Sequence, residues 1–468
     1  MESTTQIDSK QYRILHDKNI LKGLLILALP IMFNNIVKAL HDVVDMLVVG
    51  RMDAPEEIIS DQIAAIGFVG PVIQIFNALA LGVMIAGSAI MSQYIGAKKK
   101  ETAQKVSGQL LVICIIIGII FNLLLFILSP SILKLMNAEA NLYEYSLTYL
   151  RIRCFEMTGL FIFFTYQATR QSLGDTIMPV VWNVLSIVLN IVLTCIFVLG
   201  FKMDLRGAAY ATVIANMILV PICITHMCKS KELKLTKESL VPEKTQIIQI
   251  FRLAWPSAVS QAFTSLGFAI INSVIADYNP DILSAIAIGN RINSMLLFPA
   301  MGVGSVLATF VGQNIGAGNI KRAKKSVNMA MLLSLIIGFV GGFGLLPFRP
   351  DLARIFLEVE ADIDLCVEYL FYLLVGLPLM SIFQCFNGCF QGSGRTNFSL
   401  TLSTARLWVM RVPVLLLMLY VFDVGSQALW LCMVISNFGA AILGTILYQY
   451  VDFLPRVSKM KKKLSEII

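Results

Sequence analysis

The sequence predicts an all-α integral membrane protein of about twelve transmembrane helices, in two six-helix lobes related by a pseudo-two-fold axis along the membrane normal. Three observations support this fold class: the composition, the recurrence of long apolar segments and an internal repeat. Hydrophobic residues make up 57% of the 468 residues and charged residues only 14%, against roughly 25% charged in a typical soluble domain. This composition excludes a water-soluble globular protein.

Apolar segments long enough to cross a bilayer, which takes about 20 residues, follow one another along nearly the whole chain. Six lie in the first half, at 22–49, 62–90, 104–128, 144–168, 177–199 and 205–228. Six lie in the second half, at 248–276, 283–311, 326–347, 366–390, 398–421 and 427–451. We therefore expect lobes at 1–228 and 248–468, joined by a charged cytoplasmic linker at 229–247.

Lysine and arginine are concentrated in alternate loops, whereas the intervening loops are acidic. The basic loops are those around 10–22, 98–105, 229–244, 321–325 and 456–463. By the positive-inside rule these loops are cytoplasmic, so both termini are cytoplasmic, as an even number of spans also requires. The net charge of +8 therefore indicates topology in a multi-pass cell-membrane protein, not a nucleic-acid partner.

An internal repeat relates the two halves at an offset of 220 residues. Ser-Gln-Tyr-Ile-Gly-Ala at 92–97 recurs as Gly-Gln-Asn-Ile-Gly-Ala at 312–317. Each copy has an even number of spans, so both enter the membrane from the same side and the two lobes face each other across a central cleft. This arrangement suits alternating access. Because no GxxxxGK[ST] loop is present, we expect ion-coupled or facilitated transport without ATP hydrolysis.

Charged residues inside the first span form a stripe. Lys38, His41, Asp42 and Asp45 are spaced i, i+3, i+4 and i+7, which places them along one helix face. A charge in the bilayer is costly and normally faces a cavity or a partner. Asp45 is therefore a candidate site for the coupling ion. The alternative is a static ion pair of Asp45 with Lys38 or His41.

The second half has a different charge pattern. Arg291, Arg406 and Arg411 lie in or near spans, whereas the seventh and eleventh spans contain no carboxylate. We expect these arginines, together with the Lys38, His41 and Asp42 stripe, to line a substrate cavity. The alternative is that Arg291 and Arg406 extend from helix ends to the membrane surface.

Two prolines and one charged pair complete the candidate residues. Pro30 and Pro256 each leave a backbone carbonyl unpaired in the first helix of a lobe, so we expect hinges there. In the fourth span, Arg153 and Glu156 are three residues apart, a spacing that favours a structural ion pair. The nine cysteines lack the spacing of metal ligands.

Several segments together resemble the multidrug and toxic compound extrusion (MATE) family. They are Val-Val-Asp-Met-Leu-Val-Val-Gly at 43–50, Gly-Gln-Asn-Ile-Gly-Ala-Gly at 312–318 and Gly-Asp-Thr at 174–176. The resemblance covers essentially the whole chain. It implies export of cationic or amphiphilic compounds in exchange for protons or sodium ions.

The resemblance also implies an ion-coupling site. Asp45 stands at the place of the family's first-helix aspartate, Asn190 at that of its fifth-helix asparagine and Thr212 at that of its sixth-helix threonine. Thr194 occupies a position where the family often has a second aspartate. The site then holds one carboxylate with three neutral oxygen-bearing residues, which suits either a sodium ion bound at Asp45 or a proton carried by Asp45.

Two other functions are compatible with the sequence. One is a lipid-linked precursor flippase of the same superfamily, in which Arg291, Arg406 and Arg411 would contact a pyrophosphate headgroup. The other is a membrane receptor or scaffold that transports nothing. We do not expect an enzyme, since no nucleophile, base and orienting group share a recognisable spacing. We expect no cofactor beyond the coupling ion and, because one chain provides the whole cleft, a monomer.

Overall fold

The fold comes from a computed structural model. It describes residues 11–52, 55–136, 140–278, 280–355, 357, 360–422 and 427–455, without the side chains of 42, 43, 45, 46, 140, 141, 276–278, 280–285, 287 and 360–362. Every regular element in these ranges is helical. Helices are the expected solution for a chain of this composition, because a helix satisfies its own backbone hydrogen bonds where no water is available.

Seven α-helices lie among the described residues of the first lobe from Ile20 onwards. They are α1 (Ile20–Val49), α2 (Glu56–Gly96), α3 (Lys100–Leu135), α4 (Ala140–Arg153), α5 (Glu156–Ser172), α6 (Ile177–Thr194), which continues as a π-helical segment (Cys195–Gly200), and α7 (Asp204–Lys229). The connection to the second lobe contains the short helix α8 (Lys237–Leu240).

The second lobe has a similar order of spans, but its fourth span is one helix and a short helix precedes it. Its helices are α9 (Lys244–Tyr278), α10 (Pro280–Gly316), α11 (Ile320–Leu345), the short α12 (Arg349–Arg354), α13 (Glu360–Gly392), α14 (Thr396–Thr404), a π-helical segment (Ala405–Arg411), α15 (Val412–Tyr420) and α16 (Gln427–Gln449). The first π-helical segment lies in the fifth span of the chain, in the first lobe. The second lies between α14 and α15 in the eleventh span, in the second lobe.

Eleven helical stretches of the described residues are long and apolar enough to cross a membrane. The fourth predicted span, 144–168, is not among them because it is divided into α4 and α5 between Arg153 and Glu156. The Arg153 Nη2 and Glu156 Oε1 atoms lie 2.8 Å apart across this break, which confirms the predicted ion pair. The chain therefore crosses the membrane about twelve times, with one broken crossing.

Helices from both lobes meet along their first two spans. In addition to its own-lobe neighbour α6, α1 packs against α10, and α2 packs against both α9 and α10. The contacts at the ends of α2 and α10 lie on the side of the bundle where the loops at 97–99 and 317–319 are found. We call this side the basic end.

The repeated motif forms a reciprocal contact between the lobes at the basic end. Gln93 Nε2 donates to the carbonyl oxygen of Gly392 at 3.0 Å, and Gln313 Nε2 donates to that of Ser172 at 2.7 Å. Both the donors and the acceptors are related by the offset of 220 residues. Each lobe therefore contributes one glutamine that binds the end of the fourth span of the other lobe.

Glycines allow the two motifs to approach this closely. A β-carbon at Gly96 would overlap the carbonyl oxygen of Gln313, and one at Gly316 would overlap that of Gln93. Nearby, Gly174 and Gly394 adopt φ values of 78° and 71° where α5 and α13 end, a conformation that glycine adopts without steric cost. The repeated glycines are thus explained by backbone contacts and tight turns.

Candidate ion and substrate sites

The residues predicted for ion coupling meet in the first lobe. Asn190 Nδ2 donates to Thr212 Oγ1 at 3.0 Å, and Thr194 Oγ1 donates to Asn190 Oδ1 at 3.3 Å. His41 Nε2 lies 2.9 Å from the same Asn190 oxygen. Because an amide oxygen only accepts, the imidazole is the donor. We call these four residues the polar cluster.

The local sequence explains how the polar cluster forms. Asn190 and Thr194 are four residues apart on α6 and therefore share a face. Thr212 Oγ1 also donates to the carbonyl of Ala208, one turn earlier on α7, at 3.0 Å, which fixes its orientation. Asn190, Thr194 and Thr212 are all buried. His41 brings the third helix, α1, to this site.

Asp45 lies on α1 one turn beyond His41. Residues four apart on a helix share a face, so the backbone places Asp45 on the side of α1 that carries His41. The side chains of Asp42 and Asp45 lie outside the described residues. Lys38, one turn before Asp42, is exposed and takes part in an interaction.

The polar contact between α1 and α6 extends one helical turn beyond the residues predicted from the sequence. Asn183 Nδ2 donates to Asn34 Oδ1 at 2.7 Å, and Asn34 is buried. Asn34 precedes His41 by seven residues and therefore continues the same stripe. Sequence reasoning missed both asparagines because a neutral residue in an apolar span is a weaker signal than a charge.

A cavity of about 440 Å³ lies in the second lobe. Its wall comes from α9, α10, α13, α14, α16 and the π-helical segment, and many of its polar lining residues are neutral, among them Ser260, Gln261, Asn272, Asn290, Asn387 and Asn437. Arg406 and Arg411 also line it. We call it the C-lobe cavity.

The two arginines are among the most buried charges that the structure describes. Arg406 is 2% exposed and Arg411 is 6% exposed. Arg411 donates from Nε to Ser436 Oγ at 2.9 Å and from Nη2 to Asn437 Oδ1 at 3.1 Å. Burial to this degree excludes the alternative that Arg406 extends to the membrane surface.

The π-helical segment brings both arginines to one cavity. In an α-helix, residues five apart point about 140° away from each other. In a π-helix the hydrogen bonds join residues five apart, so such residues lie nearly above one another. Arg406 and Arg411 have this spacing and lie within Ala405–Arg411. A short distortion of the helix therefore gives the second lobe its paired positive charge.

The remaining predicted residues lie outside these two sites. Arg291 is an exposed residue of α10 that has an interaction of its own, and the residues lining the C-lobe cavity include its neighbours Asn290 and Asn293 but not Arg291. Pro30 and Pro256 lie inside α1 and α9, which continue as helices through them.

Comparison with known proteins decides the family. A model of the MatE family matches residues 30–196 and 256–417. The chain belongs to the MatE family. The resemblance seen in the sequence is thereby confirmed, and with it membership of a family of multidrug efflux transporters, which is not a family of enzymes.

Curated relatives span almost the same length as the chain. The probable multidrug resistance protein YoeA of Bacillus subtilis is 24% identical over 447 residues and covers 94% of each chain. The probable multidrug resistance protein NorM of Thermotoga maritima is 23% identical, over 88% of this chain and 89% of the relative. The multidrug export protein MepA of Staphylococcus saprophyticus is 21% identical, over 95% and 97%.

Solved structures share the whole fold. A MATE protein in complex with MaL6 superposes with a TM-score of 0.88 at 24% identity, over 97% of this chain and 99% of that chain. A multidrug resistance MATE family transporter in an outward-facing conformation gives 0.86 at 24% identity, over 95% and 97%. A transporter from Pyrococcus furiosus, described by the reverse polarity of its binding pocket, gives 0.87 at 23% identity, over 96% and 98%. The predicted all-helical fold is confirmed.

Proposed function

We propose that this chain exports small cationic or amphiphilic compounds by alternating access, in exchange for an inward flow of ions. The observation that carries the proposal is the polar cluster, in which three helices of the first lobe bring His41, Asn190, Thr194 and Thr212 into one hydrogen-bonded group next to the position of Asp45. Buried polar groups of this kind mark ion pathways in membrane proteins.

The hydrogen bonds of the polar cluster favour the proton as the coupling ion. The Asn190 amide oxygen has two lone pairs, and it already accepts from His41 and Thr194. A sodium ion would have to displace one of these donors to bind that oxygen. A proton taken up by the Asp45 carboxylate requires no such displacement.

The position of α1 explains how ion binding reaches the lobe interface. This helix packs against α6 of its own lobe and against α10 of the other lobe. A change in the charge of Asp45 alters the interactions that the polar face of α1 can make. Pro30, which lacks a backbone donor, lies within the same helix. We infer that α1 changes its contact with α10 when Asp45 takes up or releases a proton.

The charge distribution indicates the orientation in the membrane, and the lobe structure bears on the oligomeric state. The basic end is cytoplasmic by the positive-inside rule, so the linker and the reciprocal glutamine contacts lie on the cytoplasmic side of the cell membrane. One chain contains both lobes, which makes a monomer sufficient for transport. The curated relatives named as multidrug resistance or export proteins support a substrate range that includes amphiphilic drugs.

Export of ethidium from proteoliposomes tests this proposal. The protein is reconstituted and ethidium movement is followed under an imposed proton gradient or an imposed sodium gradient. The wild type is expected to respond to the proton gradient. The Asp45→Asn variant, which cannot release a proton, is expected to fall to the level of protein-free vesicles.

The control is Asp204→Asn, which removes an exposed carboxylate at the start of α7 in the same lobe and is expected to transport like the wild type. Folding of each variant is checked by size-exclusion chromatography. Unchanged export by Asp45→Asn would overturn the assignment of Asp45. A response to sodium alone would overturn proton coupling, and wild-type ethidium levels equal to those of protein-free vesicles under both gradients would favour the non-transporting receptor.

A further inference from the structure

The C-lobe cavity holds two positive charges without an acidic partner in its described wall. Arg406 and Arg411 line it, and none of its described lining residues is aspartate or glutamate. Taking an ion out of water costs several kcal/mol even after relaxation. Buried charges are therefore normally paired with an opposite charge. The described part of this cavity supplies only neutral groups.

The neutral groups compensate the two charges unequally. Arg411 donates to Ser436 and Asn437. Arg406 donates from Nη1 to the Met380 sulfur at 3.0 Å, and its guanidinium carbon lies 4.3 Å from the centre of the Phe383 ring. A thioether sulfur is a weak acceptor.

One donor of Arg406 is not satisfied. Its Nε atom is buried and has no hydrogen-bond partner among the described residues. An unmade hydrogen bond of a buried charged group costs more than that of a neutral one. The Nε–H group of Arg406 therefore lacks an acceptor, and the described wall of the cavity does not provide one.

We propose that the C-lobe cavity binds an amphiphilic organic anion, whose carboxylate or other oxyanion group is held by Arg406 and Arg411. This places anions among the amphiphilic substrates of the proposed exporter and so rests on the proposed function. A guanidinium presents a planar fork of donors that matches an oxyanion bidentately.

The rest of the cavity fits the apolar part of such a compound. Its volume of about 440 Å³ lies in the range of roughly 300–1,000 Å³ seen for small-molecule sites. Phe268, Met301, Met380 and Phe383 supply apolar and aromatic wall, and flexible methionines adapt to ligands of different shape. The amides in the wall, such as Gln261 and Asn290, can orient polar substituents.

Three probes that share one apolar body but differ in charge test the proposal. Dansylglycine carries a carboxylate, dansylamide is neutral and dansylcadaverine is a cation. Binding of each to the purified full-length protein in phosphatidylcholine nanodiscs is measured by fluorescence, with empty nanodiscs as the blank. No ion gradient is applied, so the result does not depend on coupling through Asp45. Dansylglycine is expected to bind the wild type more tightly than the other two probes.

Variants locate the binding. Arg406→Gln and Arg411→Gln are each expected to raise the Kd for dansylglycine about tenfold to a hundredfold, the loss expected for one charged hydrogen-bonding group. Arg406→Lys, which keeps the charge but not the fork, should give an intermediate Kd. The matched control is Arg252→Gln, an exposed arginine of α9, which should bind like the wild type. Equal binding of the three probes, or no effect of either glutamine variant, would overturn the proposal.

A lipid headgroup is the other source of an oxyanion. The dansylglycine titration is therefore repeated in nanodiscs that contain phosphatidylglycerol as well as phosphatidylcholine. Unchanged affinity supports a free organic anion as the ligand. Loss of binding in the anionic lipid would overturn that assignment in favour of a phospholipid headgroup.

Thermal stability provides a second readout that does not depend on the probe. Replacing a buried charge that has no opposite charge nearby by a neutral group of similar size is often stabilising, so Arg406→Gln without ligand is expected to melt above the wild type. Dansylglycine should raise the melting temperature of the wild type but not of this variant. A lower melting temperature for the unliganded variant would indicate a purely structural role for Arg406 and would overturn the proposal.

Discussion

The fifth and sixth spans of the two lobes make equivalent contacts with different chemistry. In the first lobe, Asn190 on α6 binds Thr212 on α7, and both groups are neutral. In the second lobe, Arg411 at the end of the π-helical segment binds Ser436 and Asn437 on α16. At the repeat offset of 220 residues, Met410 and Cys432 replace Asn190 and Thr212. The polar interiors of the two lobes have therefore diverged.

The contacts between the lobes have not diverged in this way. Gln93 and Gln313 each bind the other lobe at positions related by the same offset, and Gly96 and Gly316 make equivalent close approaches. Each of these contacts constrains residues in both lobes, whereas a binding site within one lobe constrains only that lobe. This difference explains why the strongest repeat in the sequence lies at the lobe interface.

The largest expected effect comes from a substitution that disrupts only the polar cluster. Asn190→Ala removes the acceptor of His41 and the donor to Thr212. Losing a buried hydrogen bond costs about 1–3 kcal/mol when its partner is left unsatisfied, so gradient-driven ethidium export should fall about tenfold or more. The affinity for dansylglycine should not change, since its proposed site is in the other lobe.

The control for Asn190→Ala is Thr445→Ala, an exposed span residue whose hydroxyl binds only its own helix. It should leave both measurements at wild-type values. A loss of dansylglycine binding in Asn190→Ala would show that the two lobes do not function separately, and would remove the contrast drawn between them.

Most of the first-lobe site could be predicted from the sequence. The spacing of 38, 41, 42 and 45 placed one polar face on α1, and the family resemblance supplied Asn190, Thr194 and Thr212. The structure brings these three together with His41. Asn34 and Asn183 were not predicted because their contact joins two helices and depends on how those helices pack.

The second-lobe site was less predictable. A basic lining was expected from Arg291, Arg406 and Arg411, but α-helical periodicity places residues 406 and 411 on different faces, and a π-helical segment has no clear sequence signal. The same limit applies to the break between α4 and α5, where hydrophobicity alone indicated one continuous span. Local departures from the α-helix thus account for much of what the sequence did not predict.

An intermediate effect tests the symmetry of the interface. Gly96→Ala and Gly316→Ala each place a methyl group against a backbone carbonyl of the other lobe, and overpacking of this kind costs about 1–3 kcal/mol. Both variants should therefore lower the apparent melting temperature of the purified protein by similar amounts. Gly67→Ala is the control, because nothing lies within 4 Å of an added β-carbon there. Destabilisation by only one of the two substitutions would contradict the equivalence of the contacts.

The smallest expected effect concerns the reciprocal glutamines. Gln93→Leu and Gln313→Leu each remove one hydrogen bond that crosses between the lobes, with a net contribution of about 0.5–1.5 kcal/mol. The side-chain oxygens of both glutamines accept no hydrogen bond from the described residues, which keeps the loss small. Each variant should speed amide hydrogen exchange at 92–97 and 312–317 by about twofold to tenfold, because the basic end opens more often.

Gln104→Leu is the control for these two variants, since Gln104 donates to Thr236 Oγ1 in the connection after the first lobe and, among the described residues, makes no side-chain hydrogen bond across the interface. It should leave exchange at 312–317 unchanged. If Gln93→Leu and Gln313→Leu accelerate exchange equally in both segments, the two halves of the interface open together as one unit. If acceleration is confined to the lobe that carries the substitution, the two halves of the interface open independently in spite of their symmetric contacts. The lobes would then differ at their interface as they do in their interiors.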